Sequence, residues 1–488
     1  MVDRIVRFLL LSRRELLVLV LLFLASLPAI TTRIYSSDEV QYFAYLRSLW
    51  FDRDVSFENE YRYFYDRNIA QTPDFHEAFL VLETPVGRRI NFGTIGSAIL
   101  WSPFYGVADA GVRVARMAGA GVPADGFSRP YIAAVSYASA FYGFLAVLLG
   151  IAAARRILGP APVLPGIVVW IGTPLLFYMY VAPPFSHAPS AFAVALFVTV
   201  WLRVRGTWSV TGALALGFSG ALIVMVREQD AFFLLGPAAD FVMDAARSRG
   251  AVLRARVLAA IAGASAFLIG WLPQLLAYQA LNGRPGPSHY VTRKMAWHSP
   301  HALQVLFDPA HGFFFWTPLA VACLIGLLIL ASRGPMTRAA FDAQPADVRR
   351  VAGCLLLMVA LQVYVSGAVE SWTVAGAFGQ RRFVAVTVVL IIGLSALWQR
   401  VVGAPGTQHA ASWRAWAAGA AIILCVWWNL GLTALFGTRM MDRQRIELGR
   451  NAYDVFVTLP SMAPELAWRY LAARESFYQP APDAPGCE

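Results

Sequence analysis

Two adjacent carboxylates, Asp38 and Glu39, follow the first stretch of the chain that is apolar enough to cross a bilayer. A carboxylate so close to a membrane, on the side away from a basic N-terminus, is placed to take a proton from a hydroxyl while the substrate is held at headgroup depth by a lipid. A second account of the same acids exists. Ser36, with Glu39 three residues on, has the pattern of a capping box, and Phe43, Leu46, Leu49 and Trp50 follow at helical spacing. A helix lying along the membrane is expected there, and an acid at its N-terminus is stabilised as the anion by the helix dipole without doing chemistry. Both readings stay open for Asp38. Glu39 is expected to orient Asp38 or to serve in its place.

The elements that position this pair are read from composition. Of 488 residues, 58% are hydrophobic and 14% charged, and the mean hydropathy is +0.56. A soluble chain of that make-up would leave too much apolar surface uncovered. Apolar runs of roughly 17 to 24 residues recur, each long enough to cross a hydrocarbon core of about 30 Å as a helix. Strand alternation is weak and Leu, Ala, Val and Gly dominate, so the fold class is α, a polytopic membrane helical bundle and not a barrel. The net charge of +11 and pI near 9.7 arise from arginines in short loops between apolar runs. That is membrane topology with some attraction to anionic headgroups, and no nucleic-acid partner is expected. Cys323, Cys354 and Cys425 lie in apolar runs and Cys487 near the C-terminus, with no spacing that suggests a disulfide or zinc site.

With the N-terminal arginines in the cytoplasm, spans are expected near 15–32, 130–153, 163–181, 188–204, 209–226, 229–246, 257–280, 314–331, 351–369, 383–400 and 414–436. These eleven crossings put Arg155-Arg156, Arg203 and Arg205, the Arg247 to Arg256 cluster, Arg333 to Arg350, and Arg400 with Arg414 inside, as the positive-inside rule asks. The first span resembles a signal peptide without a cleavage site and is expected to be retained. The arrangement requires that the apolar stretch 92–109 does not cross; its glycines, Trp101, Pro103 and Tyr105 suit a helix at the outer interface. A transmembrane domain is expected over 1–436, with outer loops 33–129 and 281–313, and an outer tail over 437–488 carrying surface helices. No internal repeat is visible.

A first span followed directly by an Asp-Glu pair, an amphipathic juxtamembrane helix and a long outer loop resembles the GT-C superfamily of polyprenyl-phosphate-sugar-dependent glycosyltransferases, in particular the protein O-mannosyltransferase and aminoarabinose transferase branch. The stretch NFGTIGSAILWSPF, at the place of that branch's outer-loop helix, and the outward-facing arginines extend the likeness, which covers residues 1 to about 320. The Lys-Pro-Pro-Leu motif of the aminoarabinose enzymes is absent. The resemblance implies inverting transfer of a sugar from a polyprenyl-phosphate donor to a hydroxyl acceptor, with Asp38 at the position of the general base.

For the donor phosphate, the candidates are Arg227 in VREQD and Arg381-Arg382 in GAFGQRRF, which the topology places outside, against the usual charge bias. Arginine grips phosphate oxygens bidentately. The plainer alternatives are an ion pair of Arg227 with Glu228 or Asp230, and snorkelling of the arginine pair to headgroups. Arg382 is preferred over Arg381 if the following helix continues through it. His187 and His311, both in outer loops beside prolines, are candidates for substrate binding or for structural hydrogen bonds. Trp316 and Trp372 are candidates for stacking on a sugar, or interface anchors, and Glu370 is expected to line the same cavity or to be hydrated. His298, His301 and Asp308 match no ligand spacing; no cofactor is expected, with a divalent metal left open.

The partners expected are a polyprenyl-phosphate-sugar donor, a hydroxyl acceptor on protein, lipid or glycan, and membrane lipid. The rivals are a lipid or solute transporter, which would show paired repeats, and a polysaccharide polymerase or ligase using a lipid diphosphate, which would favour arginines over a carboxylate after the first span. An arginine-rich chain whose lone lysine is Lys294 suggests a bacterial inner membrane, with the active site facing the periplasm.

Overall fold

A computed structural model describes residues 2–69, 74–335, 345–374, 376–403 and 413–477. Among the described residues there are helices and no strands, only two isolated bridges. Cys487 and the end of the tail lie outside them. Six helices are long and apolar enough to cross a membrane: Arg129–Leu158, His187–Val204, Gly250–Asn282, Asp347–Ala368, Arg381–Val402 and Trp413–Gly437. Val210–Val226 and Leu319–Arg333 are shorter apolar helices. The chain is an integral membrane protein of helical class.

The remaining expected spans are helical but interrupted, and each interruption has a local cause. After a short helix Val2–Leu9, Ser12 and Glu15 form a capping box that starts the helix of the first expected span, Arg13–Ser26, and Pro28 ends it in a 3-10 turn over Leu27–Ala29. The helix therefore stops earlier than the expected residue 32, and an extended segment carries the chain to Ser36, pinned where Thr31 N donates to Tyr180 O at 2.7 Å. The expected span 163–181 is two helices, Leu164–Ile171 and Leu175–Tyr180, parted at Gly172–Pro174. The fully buried amide of Asn429 donates to the freed carbonyls of Ile171 and Thr173 at 3.0 and 3.1 Å, so the break leaves these two polar groups satisfied. Stretch 229–246 begins as a 3-10 turn over Glu228–Leu234 before Leu235–Ala245. Small residues bring helices together: the backbones of Gly326 and Gly393 approach so closely that a Cβ on Gly326 would lie 1.9 Å from Gly393 O.

Stretch 92–109 becomes part of the helix Gly96–Met117, which is not among those apolar enough to cross. Trp101, Tyr105 and Asp109 fix it to its neighbours: Trp101 donates to Ser139 Oγ at 2.8 Å, Tyr105 to Gly126 O at 2.8 Å, and Asp109 accepts from Tyr131 at 2.7 Å. With the helix Ser37–Arg47, this helix closes a second, aromatic-rich core holding Phe43, Tyr61, Phe64, Phe75 and Phe127. Tyr61 and Phe64 are fully buried there.

Charges divide between the two ends of the bundle. Asp240 takes Arg205 at 2.9 Å and Arg350 at 2.7 Å, Glu15 takes Arg155 at 2.5 Å, and Asp244 takes Arg256 at 2.8 Å, all at the end expected inside. His187 opens, and Arg203 closes, the same 18-residue helix. A helix of that length spans ~27 Å, so His187 lies at the far end from these pairs.

Candidate active site

The helix Ser37–Arg47 starts at the capping box anticipated above. Ser36 accepts from the Glu39 amide, and Glu39 Oε2 accepts from the amides of Ser36 at 2.9 Å and Tyr35 at 2.7 Å. Glu39 is thereby spent on the helix start, and its second oxygen has no partner. Burial pushes its carboxyl up to about 7, against the hydrogen bonds that pull it down. Asp38, one residue earlier, points away from this box. Its Oδ2 accepts from Arg381 Nη1 at 2.6 Å, across 343 residues of sequence. Asp38 is 37% exposed and Arg381 24%, so the pair is reachable from solvent.

Arg381 is aimed by its loop. Gly379 sits at φ +61°, where a Cβ would meet Pro174 at 2.9 Å, and the Gln380 amide donates to Trp372 O at 3.0 Å. The chain then enters a 3-10 turn over Arg381–Val386. The guanidinium of Arg381 lies over the Phe185 ring at 5.5 Å. Arg382 turns elsewhere: it is buried and donates to Ser371 O at 3.1 Å and Ser371 Oγ at 3.3 Å. Of the two arginines it is Arg381, and not Arg382, that contacts Asp38, from a 3-10 turn that leads directly into the helix Thr387–Val402.

Arg227 follows the last turn of Val210–Val226 in extended conformation, φ −153°. It contacts His187 Nδ1, and Gln229, with its amide oxygen turned inward, accepts from Arg227 Nε at 3.0 Å. Neither neighbouring acid pairs with it: Glu228 accepts from Tyr278, and Asp230 from Ser190 at 2.5 Å. Arg227 is held in place from the segment that leads into the helix Gly96–Met117. Thr94 donates to Val226 O at 2.8 Å, Ile95 N to Gln274 Oε1 at 2.9 Å, and a Cβ on Gly96 would stand 2.3 Å from the Met225 carbonyl carbon.

Two tyrosines missed in the sequence join the group. Burial pushes the Tyr42 phenol up, Arg227 pulls it back and Asp38 opposes, which places it among these charges. Tyr42 lies four residues from Asp38, on the same face of the helix, which was the available signal. Tyr178 lies against His187 with the rings tilted and their centroids 4.4 Å apart, and donates to Phe378 O at 3.0 Å.

Other candidates stand apart. Trp316 is fully buried, donates to Ala310 O at 3.0 Å and packs on Phe378 and Phe436, so it cannot stack on a sugar. His311 is buried at 6.1 Å from the Trp316 ring with neither ring nitrogen bonded. Trp372 stacks on His301 at 5.3 Å. Glu370 is exposed and its amide donates to Lys294 O at 2.8 Å. Neither Glu370 nor Trp372 lines the cavity described next. Among the described residues no three His, Cys, Asp or Glu side chains gather as a metal set.

A cavity of about 800 Å³ opens beside the charged cluster. Its wall reaches Tyr35, Ser36 and Glu39 around Asp38, and Tyr178 and Phe185 around Arg381. From there it runs between Leu22 of the helix Arg13–Ser26, Ile167 and Trp427, with Leu466 and Tyr470 of the tail helix Leu459–Ala472 along one side. The tail is tied down: Tyr470 donates to Ala29 O at 2.9 Å and Arg474 to Ile30 O at 2.6 Å. Asp38 and Arg381 are not among its lining residues; the cavity passes beside them, and its apolar walls suit a hydrocarbon chain.

No family model and no curated protein matches the chain in sequence. Its structure is similar to the crystal structure of ArnT from Cupriavidus metallidurans bound to undecaprenyl phosphate, with TM-score 0.51 and 12% identity, over 95% of this chain and 79% of that one. The chain therefore shares the overall fold of that membrane protein.

Proposed function

We propose that this protein is an inverting glycosyltransferase that moves a sugar from a polyprenyl-phosphate donor to a hydroxyl acceptor on the extracytoplasmic face. The observation that carries the reading is the Asp38–Arg381 pair, 2.6 Å apart, beside an apolar cavity of about 800 Å³ whose wall includes their neighbours Glu39 and Phe185. The ArnT structure holds undecaprenyl phosphate, a lipid of the class that such a cavity suits.

The chemistry needs a base and a cation at one place. Arg381 occupies Oδ2 of Asp38 and leaves Oδ1 for the acceptor. The acceptor hydroxyl gives its proton to Oδ1 as its oxygen bonds the anomeric carbon, and the anomeric carbon–phosphate oxygen bond breaks with its electron pair on the phosphate. Arg381 and Arg227 stabilise the charge that develops on the departing polyprenyl phosphate, in surroundings where water screens it poorly. Because the donor phosphate is itself an anion, it competes with Asp38 for Arg381, which ties base exposure to donor arrival. Tyr42 and Tyr178 border the space left for the sugar.

The test is to reconstitute the protein in proteoliposomes with a polyprenyl-phosphate sugar and a hydroxyl acceptor. Transfer with inversion at the anomeric carbon is expected. Movement of intact donor between leaflets, with no glycoside formed, would replace this reading with a transporter.

A further inference from the structure

The cavity carries positive charge that sugar transfer at Asp38 does not use. Among its lining residues the basic ones are Arg439 and Arg443, and the acidic one is Glu39, already engaged by its capping box. Both arginines follow the Trp413–Gly437 helix in a loop whose backbone is fixed. Gly376 N donates to Arg443 O at 3.1 Å, Ile446 N donates to Ala310 O at 3.0 Å, and Arg439 is held at φ 61°, where a residue with a Cβ stays only if its surroundings fix it.

The side chains are not neutralised. The loop's own acids are taken by other residues: Asp442 by Arg445 at 3.6 Å, and Glu447 by Arg445 at 3.2 Å and Arg450 at 3.6 Å. No carboxylate among the described residues pairs with Arg439 or Arg443. Arg443 lies over the Phe436 ring at 4.6 Å and spends its Nε on Phe436 O at 3.4 Å, which leaves its terminal nitrogens to the cavity. Both side chains are exposed, and desolvation and then the Arg439 charge push Arg443 below the usual arginine value. Two like charges on one rim, against an apolar wall, are stabilised when an anion joins them.

We propose that Arg439 and Arg443 form a second phosphate subsite, for the headgroup of a long-chain lipid monophosphate whose hydrocarbon fills the cavity when no donor phosphate is held at Arg381. Charge complementarity and the apolar length of the cavity choose this occupant over a free anion. The assignment rests on the reading above that the cavity takes a lipid phosphate, and it does not require Asp38 to be a base.

The test is binding of a polyprenyl monophosphate to the full-length protein in detergent, with phosphatidylglycerol as the comparison lipid. The double variant Arg439→Gln/Arg443→Gln is expected to bind polyprenyl phosphate at least about tenfold more weakly, as loss of two charge-assisted contacts implies. Arg439→Lys/Arg443→Lys is expected to recover most of that loss, and phosphatidylglycerol binding is expected to stay as in the wild type. The single Gln variants, each expected to lose about threefold or more, serve if the double variant does not fold. Undiminished polyprenyl phosphate binding in the Gln variants overturns the subsite, and so does an equal loss for phosphatidylglycerol, which marks a general headgroup contact. A wild type that binds the lipid but transfers no sugar sinks the proposed function and leaves the subsite standing. Normal transfer, with Gln variants that bind normally, does the reverse.

Discussion

Replacing Glu39 by Gln separates the two adjacent acids more cleanly than any other change. Glu39 is 1% exposed, its carboxyl is raised from an ordinary 4.5 to about 7, and burial is the main cause. A carboxyl raised in the folded state binds its proton more tightly there than in the unfolded chain. Its contribution to stability is therefore full below about pH 4.5, is lost as pH rises through about 7, and is flat beyond. At ~1.4 kcal/mol per unit, the shift corresponds to about 3 kcal/mol across that window. Gln keeps an oxygen for the amides of Tyr35 and Ser36 and removes the titration. Thermal unfolding in detergent from pH 4.5 to 8 is expected to show wild-type stability falling with pH and the variant nearly level, with the variant more stable at pH 8. Sugar transfer by the variant should stay within about tenfold of wild type, since Glu39 shapes the helix start and does not take the acceptor proton. Parallel pH slopes in the two proteins would refute the argument from burial, and a loss of transfer as deep as that expected for Asp38 would refute the division of labour.

Arg381→Gln removes the cation that both orients Asp38 and meets the leaving phosphate, and transfer should fall by about 100- to 1,000-fold, read as donor turnover. Gly96→Ala would set a Cβ 2.3 Å from the Met225 backbone, so it should cost about 1–3 kcal/mol by overpacking and lower transfer by displacing Arg227. Scanning unfolding and turnover together check it. Trp316→Ala should cost about 3–5 kcal/mol through lost packing, with the donor KM of the folded fraction unchanged, because the buried indole meets no sugar.

The long helices were legible because hydropathy in a membrane protein follows the bilayer, and runs such as 130–153 and 383–400 needed nothing else. The capping box at Ser36 and Glu39 was legible because its parts are three residues apart. The breaks at Gly172–Pro174 and at Arg227 were not, because they are repaired by the distant Asn429 amide in one case and secured by the Thr94 to Gly96 segment in the other, and neither leaves a trace in local hydropathy. The early stop at Ser26 could have been read from Pro28, which sits in the 3-10 turn that ends the helix. The choice between Arg381 and Arg382 depends on which of them meets Asp38, which one sequence does not specify. The Asp38–Arg381 contact joins residues 343 apart, and only the folded bundle brings them together. Trp316 shows why an aromatic candidate misled: composition counts rings, while burial decides whether a substrate can reach them.

The central claim is that the Asp38 carboxylate accepts the acceptor's proton beside an apolar cavity that holds the donor lipid. Single-turnover transfer with saturating polyprenyl-phosphate sugar, comparing wild type with Asp38→Asn, tests it most directly. The Asp38–Arg381 pair is partly exposed, at 37% and 24%, so its loss should cost no more than about 1 kcal/mol of stability and will not disguise unfolding as inactivity. The expected result is a rate lowered by about 100- to 10,000-fold in a folded protein. A folded Asp38→Asn protein that transfers sugar at the wild-type rate would contradict it.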